Sequence, residues 1–393
     1  MTTTTRSVLL NWEIGSNFGW GLLGLNIFFH WANDRDLVPR AGCTIGNDCL
    51  AMVDPLRLKV VSQAIMRSND AFDDLNRGNA EESISLDGIL VEPISHGIAP
   101  SNIHATLNVG RSIFENTDTS EFDHSLDKYD RILCGSNWNA SILHARTGRP
   151  VKVILEGIDP SLFCPGPKSG LLDPTKFYIF SGGKVEFRKA QDLVLLAFRE
   201  FSNRHSDAVL VTAWHSPWPG ISGGFQGRLD APLQLDGLGR IDVRRWVADN
   251  GIDPASVVEL FAMSNQMMPP ILREMDVAIQ PSRAEACTNL PAKEAMACGL
   301  PVIIANNTGM KDLITEDNCI PLLHQRPVPA GRGICTEGWG DSSVDEIVEA
   351  MERVYVDRAW AHSLGSKAAG WIAGNRTWKL HSEQLKRFLL DGE

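Results

Sequence analysis

The sequence predicts an α/β protein of two doubly wound domains, and three observations carry that prediction. Short apolar runs alternate with longer stretches of helical periodicity. That rhythm breaks at Asp159–Lys176, where Pro160, Pro165, Pro167 and Pro174 mark a linker, and it restarts at Phe177-Tyr-Ile-Phe180. The chain has 393 residues, long enough for two or three domains of ordinary size.

Strands are expected near 7–14, 87–94, 110–114, 130–134 and 151–155, with helices near 20–32, 55–76 and 137–146. After the linker, strands near 177–180, 208–214, 257–261, 276–280 and 301–305 alternate with helices near 190–204, 241–249, 291–298 and 344–356. A helical segment from about 358 to 391 ends the chain. The expected domains are 1–165 and 166–370, with 371–393 packing back on the first. Ligands of such sheets bind outside the carboxyl ends of the strands, so the loops there are where chemistry is sought.

Composition narrows the classes. At 43% hydrophobic and 22% charged residues, the chain can bury large cores and is neither disordered nor fibrous. Lys and Arg total 37 against 48 Asp and Glu, a net charge of −11 that opposes nucleic acid and anionic bilayers unless a local basic patch exists. Gly19–Trp31 is the longest apolar stretch, too short for a bilayer. The start, Met1–Arg6, lacks signal-peptide features, and the eight cysteines include no C-x-x-C pair. A reduced, cytoplasmic protein is expected, with at most weak membrane association.

Four constellations stand out. Gly19, Gly21 and Gly24 form G-x-G-x-x-G between the first strand and an apolar helix. Three readings stand: a dinucleotide loop, another anion or sugar contact through Gly21, or helix–strand packing. Asp34-Arg-Asp36 is read as a solvated helix terminus and not as a metal-binding pair. At Gly182-Gly183-Lys184, with Arg188 and Lys189 following, three cations precede a helix, which is either an anion site or a Gly-Gly turn with solvated bases. Finally, Glu285 and Glu294 bracket a helix start at Pro291, where a diphosphate can sit on free amides while the acids accept hydrogen bonds from hydroxyls.

The run Pro281-Ser-Arg-Ala-Glu285 … Leu290-Pro-Ala-Lys-Glu294-Ala-Met-Ala-Cys-Gly-Leu-Pro-Val-Ile303 resembles the donor-binding signature of retaining GT-B glycosyltransferases, family 4 (group 1). Gly182-Gly-Lys184 … Arg188-Lys189 is similar to that family's phosphate motif. Tyr129–Asn139, Leu155–Phe163 and Asn306–Ile314 resemble other family segments. The resemblance spans about residues 105–375.

This resemblance implies two Rossmann-like domains facing a central cleft, a nucleotide-sugar donor, a carbohydrate or other hydroxyl acceptor, and neither metal nor cofactor. It implies that Lys184 and Lys189 neutralise the diphosphate, with Gly183 and Arg188 in the same turn. Glu294 holds the ribose hydroxyls, and Glu285 contacts the transferred sugar beside the amides of Thr288, Asn289 and Leu290. Base contacts are expected from Leu260–Gln266.

The chain departs from the family pattern in three places. Eight residues separate Glu285 from Glu294 where seven is commonest, Lys184 stands where Arg is usual, and Phe114-Glu115 stands where many members carry His. Glu115 is read either as orienting the acceptor or assisting its deprotonation, or as capping the next segment. His96 and His104 are read as surface or packed residues. Trp20 and Trp218 are singled out for sugar stacking. The alternatives on the same fold are a nucleotide-sugar epimerase or phosphorylase, and, through the first glycine loop, an NAD(P)-dependent oxidoreductase.

Overall fold

The computed structural model describes residues 5–50, 53–76, 83–216, 220, 222–331 and 333–392. Two units are present: Met1–Asp159 with Met263–Met268 and Arg376–Glu393, and Pro160–Ala262 with Pro269–Asn375.

Unit 1 contains β1 (Arg6–Leu10), α1 (Gly19–Trp31), β2 (Leu37–Ala41), α2 (Pro55–Asn76), β3 (Ile84–Ile94), β4 (Ile103–Ser112), β5 (Arg131–Cys134), α3 (Asn137–His144) and β6 (Val151–Val153). Its strands pair in the order β2-β1-β3-β4-β5-β6, all parallel. β2 falls outside the expected elements because Pro39 interrupts its apolar pattern. It pairs on one side only, where a proline's missing N–H costs no ladder bond.

Gly21 and Gly24 explain how α1 packs down on the chain before it. A Cβ at Gly21 would meet the backbone of Gly15 at 2.8 Å, and one at Gly24 would meet the Ile14 side chain at 2.7 Å. The helix–strand packing reading of this loop therefore has a direct geometric basis. The Asp34-Arg-Asp36 segment is no solvated terminus. Asp34 accepts the amides of Asp36 and Leu37, and both acids pair with Lys386 at 2.7 Å. Lys386 lies on the last helix, α10 (Trp378–Asp391), which belongs to unit 1.

Unit 2 contains β7 (Phe177–Gly182), α4 (Gln191–Arg204), β8 (Ala208–Ala213), α5 (Val243–Asp249), β9 (Val257–Glu259), β10 (Val277–Gln280), α7 (Leu290–Ala297), β11 (Val302–Ala305) and β12 (Ile320–Leu322), with α6 (Met268–Glu274) before β10. A hairpin of β13 (Gln325–Pro327) and β14 (Gly340–Ser342), then α8 (Val344–Val356) and α9 (Arg358–Asn375), complete it. The strand order is β12-β11-β10-β7-β8-β9, all parallel. β12 was also unforeseen, and it too is a terminal strand holding a proline, Pro321. The expected helix 358–391 is two helices, because Thr377 adopts an extended conformation and caps α10 through its side chain at Leu380.

β7 and β10 are adjacent, and from them the chain winds outward in opposite directions. Their carboxyl ends are thus the switch point of this sheet, where open α/β folds bind ligands.

Gly157 and Thr377 pack backbone to backbone, with Ile158 bonded to Arg376 and Trp378 in a short parallel bridge. A Cβ on Gly157 would lie 2.2 Å from the Thr377 carbonyl carbon, so Gly157→Ala should cost roughly 2–3 kcal/mol in chemical denaturation. Unchanged stability would show that this junction yields easily.

Candidate functional site at the switch point of the second sheet

Two loops build the site. The first follows β7 and runs through Gly183, Lys184, Glu186, Arg188 and Lys189 to α4. Gly183 has φ of 128°, outside the region that residues with a Cβ favour. Ala190 takes φ of 61°, a left-handed conformation costing about 1 kcal/mol, which closes the short helical turn Phe187–Lys189 before α4. The Gln280 amide, oriented to satisfy both groups, bonds the N–H and C=O of Gly182 at 3.1 Å. The side chain of Gln191 donates to the Lys184 carbonyl at 2.8 Å.

The second loop follows β10, from Pro281 to Asn289. Its backbone is fastened to the first, with the amide of Arg283 donating to the Arg188 carbonyl at 2.6 Å. The Arg283 guanidinium is fully buried and holds Asp192, on the first turn of α4, through two bonds of 2.8 and 2.7 Å. It also bonds Asp341 at 2.7 Å and the Phe187 carbonyl at 2.6 Å, and it lies 3.9 Å over the Phe187 ring. Arg228 closes the circuit onto both Asp192 and Asp341. A planar fork of donors suits this role, since it fixes direction as well as charge.

Glu285 emerges from this frame against the cations. Its carboxylate lies 2.7 Å from Lys189 and 3.0 Å from Arg188. Asn289 donates to it at 2.8 Å, and the same side chain accepts the Ala292 amide as the N-cap of α7. The Glu285 amide donates to Thr308, and its carbonyl accepts from Gly309, where a Cβ would collide with the Cys287 carbonyl at 2.4 Å. Asn307 ties this support to Ser282, Gln325 and Gly340.

Burial alone would raise the Glu285 carboxyl, but Lys189 and Arg188 prevail and hold it below the ordinary carboxylate range. Glu186 behaves likewise, burial being outweighed by Arg188 and Lys184. Burial pulls the Lys189 ammonium below its ordinary value, against the attraction of Glu285.

Lys184, Arg188, Lys189, Glu285, Thr288, Asn289, Leu290 and Glu294 all lie in unit 2. Thr288 is buried, and its hydroxyl has no hydrogen-bond partner among the described residues. Glu294 is buried on α7, one turn beyond Leu290. The reading of the bases as solvated around a Gly-Gly turn does not hold for Arg188 and Lys189, whose side chains are 12% and 11% exposed.

Gly21 and Glu115 lie in unit 1. Glu115 follows Phe114, whose ring packs against His96, Phe122 and Trp138. His96 contacts the Asp118 carbonyl, as a packed histidine does, and His104 is exposed. Trp20 is half-buried against Trp12, and Trp218 lies outside the described residues. Leu260–Gln266 divides between the units after Ala262. The sequence reading missed Arg283, Asp192, Glu186 and Asn307, and it valued Asn289 for its amide, whereas here its side chain orients Glu285.

Arg283→Met should cost about 3–5 kcal/mol in denaturant unfolding, because it leaves Asp192 buried without its principal partner. A loss under about 1 kcal/mol would contradict this arrangement. Since the folded Glu285 carboxyl is depressed, its stabilising effect is complete above the unfolded value near 4.3 and is lost as pH falls through the folded one. Unfolding free energy should therefore fall with acidification below about pH 4. The slope should be shallower in Glu285→Gln, and an equal slope in both would contradict the pairing.

Residues 224–336 match the family model described as glycosyl transferases, group 1; the match includes Glu285 and Glu294 and begins after Lys189. A D-inositol 3-phosphate glycosyltransferase of Mycolicibacterium gilvum is 26% identical over 263 residues, covering 63% of this chain and 52% of its own length. One from Rhodococcus erythropolis is 28% identical, covering 57% and 47%. The chain thus spans about half the length of the curated relatives it matches. Among solved structures, sucrose-phosphate synthase from Thermosynechococcus elongatus superimposes with a TM-score of 0.65 at 14% identity, over 98% of each chain. HepE from Anabaena, solved in complex with UDP-glucose, gives 0.61 at 12% identity, over 98% of this chain and 99% of its own. By these matches the chain is similar to the group 1 glycosyltransferases, and its two Rossmann-like units have the GT-B fold.

Proposed function

We propose that the protein is a retaining glycosyltransferase, moving a sugar from a nucleoside-diphosphate sugar to an acceptor hydroxyl without a metal. One observation carries the reading: Lys184, Arg188, Lys189 and Glu285 converge on the switch point of an otherwise acidic protein, beside the start of α7. The diphosphate takes Lys184, Lys189 and the loop amides, and Glu294 accepts hydrogen bonds from the ribose. The ionised Glu285 accepts them from the transferred sugar, and the Thr288 hydroxyl, without a hydrogen-bond partner among the described residues, offers a further contact.

As the glycosidic bond breaks, negative charge grows on the leaving diphosphate. Cations already fixed by Arg283, Gln191 and Glu285 stabilise it without reorganising. The acceptor oxygen bonds the anomeric carbon on the face the diphosphate leaves, and its proton passes to the departing phosphate. Configuration is retained. Relatives named for D-inositol 3-phosphate and a fold neighbour holding UDP-glucose support polyol acceptors and UDP-sugars as first choices.

Binding to UDP-, GDP- and ADP-glucose by calorimetry tests the reading. At least one should bind, and Lys189→Ala and Glu294→Ala should each weaken it about tenfold or more. Wild-type affinity in both variants would sink the assignment.

A further inference from the structure

Five charged side chains alternate in sign through the two loops of the site. Lys184 pairs with Glu186 at 2.7 Å, Glu186 with Arg188 at 2.7 Å, Arg188 with Glu285 at 3.0 Å, and Glu285 with Lys189 at 2.7 Å. Apart from Lys184, 31% exposed, every member is at most 12% exposed. Three bases and two acids leave one positive charge. A carboxylate oxygen in such a pair occupies a cation much as a phosphate oxygen would, as an anionic acceptor at the same range.

Each lysine assigned to the diphosphate therefore already holds a carboxylate. For Lys189 that partner is Glu285, which the donor reading gives work of its own. For Lys184 it is Glu186, which has none. A buried carboxylate there has two consequences. In the empty site it offsets the mutual repulsion of bases crowded into one turn. In the occupied site it leaves a negative charge beside an incoming diphosphate, in surroundings that screen it weakly.

We propose that Glu186 is a built-in competitor for the diphosphate, holding Lys184 in the empty site and loosening the grip on nucleoside-diphosphate product. The inference rests on the donor site proposed above. Glu186 is then a determinant of affinity and not a member of the reacting set. It reaches the ligand through Lys184 and Arg188, with which it pairs, and through its own charge.

Glu186→Gln keeps the shape of the side chain and removes its charge. Dissociation constants for UDP, GDP, ADP and inorganic pyrophosphate should tighten about threefold to tenfold for whichever of them wild type binds. Binding of the uncharged nucleosides should stay unchanged. The gain should shrink in 0.5 M salt (about a 4 Å screening length) and shrink further, without vanishing, when Lys184→Gln is already present, since the charge of Glu186 and its pair with Arg188 remain. Glu186→Asp, which keeps the charge, should not tighten binding.

Unchanged or weaker diphosphate binding in Glu186→Gln, with wild-type thermal unfolding, would overturn the proposal and make Glu186 a support for the loop. Tightening in Glu186→Asp would overturn it too. If Glu186→Gln unfolds early, Glu186→Ala, which also removes the charge, decides in its place: its pyrophosphate binding should tighten in low salt, and no gain there would overturn the proposal. Should wild type bind none of the diphosphates, the donor reading fails and this inference with it. If wild type binds them and Glu186→Gln gains nothing, only the inference fails.

Discussion

The site depends on one interaction, the two-pronged bond between Arg283 and Asp192. It joins the loop after β10 to the first turn of α4, so the two loops of the switch point are held at a fixed spacing. Its contribution is geometry more than stability, because a buried ion pair repays its desolvation only in part. The guanidinium lies flat on Phe187, bonds that residue's carbonyl, and reaches Asp341 with its remaining edge. Everything that carries charge toward the ligand, from Lys184 to Glu285, hangs on backbone that this cluster fixes.

Such a frame answers a problem set by composition. A chain with net charge −11 repels anions at long range, so an anion site needs cations that are local, crowded and shielded from solvent. Crowded cations repel one another, and the interleaved carboxylates Glu186 and Glu285 relieve that repulsion while the site is empty. The same carboxylates then oppose or share whatever anion arrives. On the proposed donor reading, this balance sets affinity and eases product departure.

Much of this was legible in the chain before its structure. The alternation of apolar runs gave ten of the twelve strands of the two sheets, and the two it lost, Leu37–Ala41 and Ile320–Leu322, are terminal strands with a proline where only one ladder exists. Glu285 and the basic turn were readable because glycines, bases and acids at strand ends have few other uses. Arg283 was not, although it stands within the same motif. Its partner lies 91 residues away, and no local pattern announces a contact that only the adjacency of β7 and β10 creates. Glu186 was hidden for a related reason: an acid among bases on a loop looks solvated until burial is known. Asp34 and Asp36 misled in the opposite direction, since their partner Lys386 comes from the last helix of the chain.

A crystal structure of the protein with the nucleoside diphosphate it binds decides where the anion sits. Phosphate oxygens should lie within hydrogen-bonding distance of the Lys184 and Lys189 ammonium groups, with the ribose hydroxyls on Glu294. A diphosphate seated instead on the Gly19–Gly24 loop of the first unit, with the Lys189–Glu285 pair untouched, would contradict this placement.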